Sequence, residues 1–81
     1  MRDTIRKLVD EHAGLPANLT IEDDTDLYRA GMKSFASVQL MLALEEAFEI
    51  EFPEELLTRA TFRSIAAMDA AVARLSASLA A

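Results

Sequence analysis

The chain has 81 residues and a formal net charge of −6, with 14 acidic side chains against 8 lysines and arginines. That length holds one domain, 1–81, without room for a second lobe and a deep cleft. The negative field repels phosphate backbones and anionic membrane surfaces while steering basic protein surfaces inward, so neither nucleic acid nor a membrane is an expected partner.

Charges interrupt every hydrophobic segment of residues 1–12, unlike a secretory signal or transit peptide. The longest apolar run, Leu40–Leu44, is far short of the ~20 residues that span a bilayer, and a soluble, cytoplasmic protein is expected. Ile5, Leu8 and Val9 recur at helical spacing opposite Arg6, Lys7, Asp10 and Glu11, which predicts helix I from Asp3 to about Ala13. Gly14 supplies its stop, and Pro16 bars continuation.

Residues 15–33 have no sustained period and form a long connection. A loop of this length in a compact domain is pinned or functional; Leu15, Leu19, Ile21, Leu27 and Met32 are the expected pins, and Asp26–Gly31 is expected to make a single helical turn. Helix II is predicted from Ser34 to Phe48. Its apolar flanks, Val38, Met41 and Leu42 on one side and Leu40, Leu44 and Phe48 on the other, make a stripe wider than one face, suited to the centre of a bundle. Pro53 breaks the pattern, and Glu54–Leu57 makes one short helix III. From Phe62 onward Ile65, Met68, Val72, Leu75 and Leu79 step by three and four residues as helix IV, with residues 78–81 expected to fray. The fold class is therefore all-α: a four-helix bundle with one short helix and a long loop between helices I and II.

Catalytic chemistry is poorly provided for. The only histidine, His12, belongs to the end of helix I beside Glu11, where it suits the negative helix terminus better than a base role. The acidic run Glu22, Asp23, Asp24 and Asp26 fails the EF-hand spacing, because Tyr28 and Arg29 fall where an oxygen ligand and the turn glycine are required. The chain has no cysteine, which removes disulfides, thiolate nucleophiles and zinc–thiolate sites. Any thiol chemistry has to come from an added group.

Ser34 remains. As structure it is an N-cap, worth ~1 kcal/mol; as chemistry it is a hydroxyl at the positive end of helix II, next to Lys33, where a phosphate ester would be tolerated. No base in the sequence is placed to activate it, so a modification there would be made by another enzyme.

Residues 26–56, "DLYRAGMKSFASVQLMLALEEAFEIEFPEEL", resemble the heart of the acyl carrier protein family: leucine and glycine before a serine triplet, a Val-x-Leu helix ending in Glu-Glu-x-Phe, then Ile-x-Phe-Pro. The resemblance implies a four-helix bundle and a 4′-phosphopantetheine arm, donated by coenzyme A through a phosphopantetheinyl transferase, on Ser34. Val38, Leu40, Phe48, Ile50 and Pro53 fall on family positions. Lys33 replaces the usual aspartate, Phe35 the usual leucine, and Ala36, Ser37 and Gln39 stand where acidic residues are common.

The string "SFASVQLMLALEEAFEIEFP" is similar to a narrower group of small free-standing bacterial carrier proteins. That likeness implies loading with glycine or alanine by an amino acid:[carrier protein] ligase that resembles class II aminoacyl-tRNA synthetases, with the cargo held as a thioester and passed to an unspecified acceptor. The alternatives at this point are a fatty-acyl or polyketide carrier and an unmodified helical interaction module. Met32, Lys33, Phe35 and Val38 around the serine, with Glu45, Glu46 and Glu49 at the far end of helix II, are the expected partner contacts. Those glutamates oppose the helix dipole at ~0.3–1 kcal/mol each, which suits retention for a partner.

Overall fold

The computed structural model describes residues 1–16 and 18–80, the side chains of 78–80 excepted. The last helix runs through Ala80, so residues 78–80 are helical where a fraying tail is expected; Ala81 and the side chain of Leu79 lie outside the described residues. The chain runs through α1 (Arg2–His12), α2 (Leu27–Ala30), α3 (Ser34–Phe48), a 3-10 turn (Glu54–Leu56), α4 (Arg59–Phe62) and α5 (Ile65–Ala80), with no strand among the described residues. No helix there is long and apolar enough to cross a membrane.

The three long helices pack on one another: α1 lies against α3 and α5, α3 also meets α5, and α4 packs on α5. Their shared core holds Ile5 and Val9 from α1, Leu40 and Leu44 from α3, and Ile65, Met68 and Val72 from α5, all essentially buried. Each contributes about 1.5–3 kcal/mol by leaving water. Gly14 follows the C-cap residue Ala13 with φ 70°, a left-handed value that ends α1 where the sequence placed its stop.

The long connection is held at defined points. Leu27 and Met32 are buried, and Leu15 and Ile21 pack on the core, but Leu19 is exposed and pins nothing. Polar contacts do the rest. The guanidinium of Arg2 donates to Asp23 at 2.7 Å and to Asp69 at 2.9 Å, and that of Arg6 donates to Asp23 at 2.6 Å and to the Ile21 carbonyl at 2.5 Å. The Asp23 carbonyl in turn accepts from the Ala66 amide at 2.9 Å, tying the loop to the start of α5. Asp26 caps α2 by accepting from the Tyr28 and Arg29 amides. Two members of the acidic run thus serve loop geometry.

Two boundaries differ from the sequence reading. The short helix III is a 3-10 turn ending at Leu56, followed by a separate α4, and helix IV begins at Ile65 rather than Phe62. The break has a local cause. The Ser64 hydroxyl accepts the Ala67 amide at 3.0 Å, capping α5, while the Arg63 carbonyl turns to accept the Leu27 amide at 2.6 Å.

Candidate attachment site

The corner before α3 is built by a reversal. At Gly31 the chain takes φ 125°, which an L side chain rarely adopts, and the Gly31 amide closes α2 on the Leu27 and Tyr28 carbonyls. Met32 then drops into the core, its amide bonded to the Leu27 carbonyl at 2.9 Å, and Lys33 emerges in an extended conformation. Met32 is therefore an anchor, 4 % exposed, and not the partner contact expected from sequence.

Lys33, not Ser34, occupies the N-cap position, and no side chain caps α3. A lysine has only donors on its side chain, so the first-turn amides of α3 keep their open valences and Ser34 is the first helical residue. This corrects the reading of Ser34 as a cap: its hydroxyl is not spent on its own helix, and the residue is exposed. The nearby Ser37 hydroxyl is spent, donating to the Ser34 carbonyl at 2.6 Å.

Along α3, Ala36, Leu40 and Leu44 face the core while Phe35, Val38 and Leu42 are 72, 52 and 52 % exposed. The broad apolar stripe read from sequence thus divides. One flank builds the bundle, and the other, spaced 35, 38, 42, forms an apolar ladder that starts beside Ser34. Exposed apolar side chains at this spacing are a candidate contact surface. Leu42 and Leu57, the latter 48 % exposed, extend this exposed apolar surface; in the sequence Leu42 reads as part of the broad helix II stripe and Leu57 only as the end of short helix III.

At the other end of α3 the three glutamates part company. The Glu45 carboxylate accepts the Phe52 amide at 2.9 Å, and its carbonyl accepts the Ile50 amide, so Glu45 straps the turn after the helix instead of standing free for a partner. Glu46 is exposed. Glu49, also exposed, takes φ 53° and ψ 49° at the C-cap, a left-handed conformation normally filled by glycine or asparagine.

Ser34 opens onto a groove of about 290 Å³ between α3 and the segment around α4. Val38 and Met41 from α3 face Leu57 and Phe62 across it, and Arg59 stands at its side with the guanidinium carbon 4.3 Å from the centre of the Tyr28 ring. Phe62 is fixed from behind by an edge-on contact with Phe52, ring centres 5.2 Å apart. The site offers a presented hydroxyl, open helix amides and nearby apolar walls, with no histidine or carboxylate lining the groove among the described residues. Such a corner leaves a hydroxyl accessible to modification by another protein.

Comparisons with known proteins agree. Residues 3–68 match the family described as "Phosphopantetheine attachment site". The aminoacyl carrier protein of Agrobacterium fabrum is 54 % identical over 70 residues, 85 % of this chain and 84 % of that protein. A crystal structure of an engineered Bradyrhizobium japonicum glycine:[carrier protein] ligase complexed with a carrier protein from Agrobacterium tumefaciens and AMP contains a chain that is 53 % identical. It superposes with a TM-score of 0.85 over 90 % of this chain and 99 % of that one. A further ligase structure, complexed with a glycylated carrier protein, matches at 20 % identity and TM-score 0.75, a likeness of fold alone. The chain belongs to the phosphopantetheine attachment family. It is a non-catalytic carrier protein with the expected helical fold.

Proposed function

We propose that Ser34 is the attachment point of the 4′-phosphopantetheine arm and that the loaded arm carries an aminoacyl group, glycyl in the first instance. The observation that carries the assignment is the uncapped start of α3. Ser34 is exposed, its hydroxyl is not used as a cap, and the unpaired amides of the first turn with Lys33 beside them fit an anionic phosphodiester. A phosphopantetheinyl transferase supplies the missing base. It takes the hydroxyl proton while Ser34 Oγ forms the new ester to phosphorus, the pyrophosphate bond of coenzyme A breaks, and the adenosine bisphosphate leaves. The arm supplies the terminal thiol that this cysteine-free chain lacks and on which an acyl group is held.

The aminoacyl cargo is supported by the relatives, one an aminoacyl carrier protein and one a carrier crystallised with a glycine:[carrier protein] ligase, both above 50 % identical to this chain. The ligase docks on the ladder of Phe35, Val38 and Leu42 beside Ser34, with Lys33 adding a positive charge and Glu46 and Glu49 an acidic end. Contacts must break at each transfer, so the interface is small, below about 1,200 Å² in total. The cargo then passes to a downstream acceptor enzyme, and the cycle runs in the cytoplasm.

The test is intact mass after incubation with coenzyme A and a broad-specificity transferase, followed by loading with a glycine:[carrier protein] ligase, ATP and glycine. One phosphopantetheine is expected on the wild type and none on Ser34→Ala, with one glycyl group added in the second step. An arm that still attaches to Ser34→Ala contradicts the site, and an arm that accepts no amino acid contradicts the cargo.

A further inference from the structure

Resting on the attachment reading above, we infer that the groove beside Ser34 sorts arms by the charge at their tip: it shelters an arm with an uncharged end and turns away one ending in an α-ammonium, with Arg59 as the residue that discriminates. Ser34 lies on the groove's own rim, so an arm attached there starts at its mouth and needs no diffusion to enter. The groove's interior walls are Val38, Met41, Leu57 and Phe62, which suit the methylenes and methyls of a pantetheine chain. Among the described residues its one charged lining residue is Arg59, and no carboxylate lines it.

Arg59 is also held in place, its guanidinium stacked 4.3 Å from the centre of the Tyr28 ring. A thiol or an alkyl acyl group gives up little hydration on entering an apolar cleft. An ammonium loses strong hydration, finds no counter-ion, and meets a fixed cation of its own sign. α-Amino groups titrate near ~8, so an aminoacyl tip is largely charged at neutral pH. Loading itself therefore changes where the arm resides. The discharged arm lies along the groove, and the glycyl arm stands in solvent, open to the acceptor.

Propionyl and glycyl groups make the comparison clean, because they have nearly the same shape and differ by a methyl against an ammonium. The chain is modified at Ser34 with coenzyme A, propionyl-coenzyme A or glycyl-coenzyme A by a transferase, and intact mass verifies each product. Amide and side-chain NMR shifts of Val38, Met41, Leu57 and Phe62 are then compared with those of the unmodified chain. The thiol and propionyl forms are expected to shift all four residues. Like-charge repulsion at a separation on the order of 6 Å in a water-like dielectric is worth roughly a threefold reduction in docking at low salt, so the glycyl form shifts them correspondingly less. Arg59→Gln, at an exposed position, should bring the glycyl shifts toward the propionyl ones.

Equal shifts for glycyl and propionyl forms overturn the inference, as does a difference that Arg59→Gln leaves undiminished, or the absence of groove shifts in every modified form. These outcomes leave the carrier role standing. Failure of the arm to attach at all, seen in the mass step, overturns the attachment reading and this inference with it.

Discussion

Truncating Glu45 to alanine is expected to destabilise the fold markedly, although the residue reads as a partner-facing charge. Its carboxylate accepts the amide of Phe52 at 2.9 Å, and Phe52 is 5 % exposed with its ring against Phe62. Without the acceptor, a largely desolvated N–H loses a charge-assisted bond, a loss of about 1–3 kcal/mol. In a domain of this size each kcal/mol moves the melting temperature by about 4–8 °C, so Glu45→Ala should lower it by roughly 5–20 °C. Glu45→Gln keeps an acceptor oxygen and should retain more than about half of that stability. The assay is thermal melting by far-UV circular dichroism, with hydrogen exchange at the Phe52 amide as the local readout. A Glu45→Ala melt within about 2 °C of wild type, with the Phe52 amide still protected, would refute the strap.

Other perturbations separate the remaining roles. Glu49 holds a left-handed conformation at φ 53°, so Glu49→Gly should stabilise the chain by about 1 kcal/mol in urea unfolding, while weakening ligase loading if the carboxylate is a contact. Phe35, 72 % exposed, should tolerate alanine within about 0.5 kcal/mol of stability. The same Phe35→Ala change should reduce the ligase's kcat/KM by about tenfold through KM, read from steady-state loading. Hydrogen bonds from Arg2 and then Arg6 hold the Asp23 carboxyl below its ordinary range. The folded value lies below the unfolded one near ~3.9, so this contribution is complete above the unfolded value and is lost as pH falls through the folded value. Asp23→Asn should flatten the acid limb of urea midpoints measured from neutral pH to about pH 3.

The long elements were legible because their signals are local and repeated. The bounds of α3, Ser34 to Phe48, match the expectation, as do the stop at Gly14 and the turn before Gly31. The break between α4 and α5 was not read, because a single hydroxyl at Ser64 and a long-range bond from Leu27 to the Arg63 carbonyl decide it. A serine directly before the apolar repeat of Ile65 and Met68 was the available cue.

At the site, the serine and its exposed neighbours Phe35 and Val38 could be picked out from pattern, but the depth of each side chain could not. Met32 is buried because the Gly31 reversal turns it inward, and Glu45 is engaged because the turn after α3 brings the Phe52 amide back over it. The cap was misplaced by one residue, which matters. With Lys33 at N-cap the hydroxyl of Ser34 keeps its freedom, and the resemblance to the carrier family gains a physical reason. Arg59 escaped notice altogether, since its relation to Tyr28 and the groove joins residues 31 positions apart.

The central claim is that Ser34 carries the arm, and intact mass of wild type and Ser34→Ala after treatment with coenzyme A and a phosphopantetheinyl transferase tests it most directly. The account predicts one added phosphopantetheine on the wild type and none on the variant. It also predicts that the two unmodified proteins melt alike within about 0.5 kcal/mol, because the hydroxyl caps nothing. A wild-type chain that stays unmodified with its own organism's transferase, or a Ser34→Ala chain that still gains the arm, would contradict it.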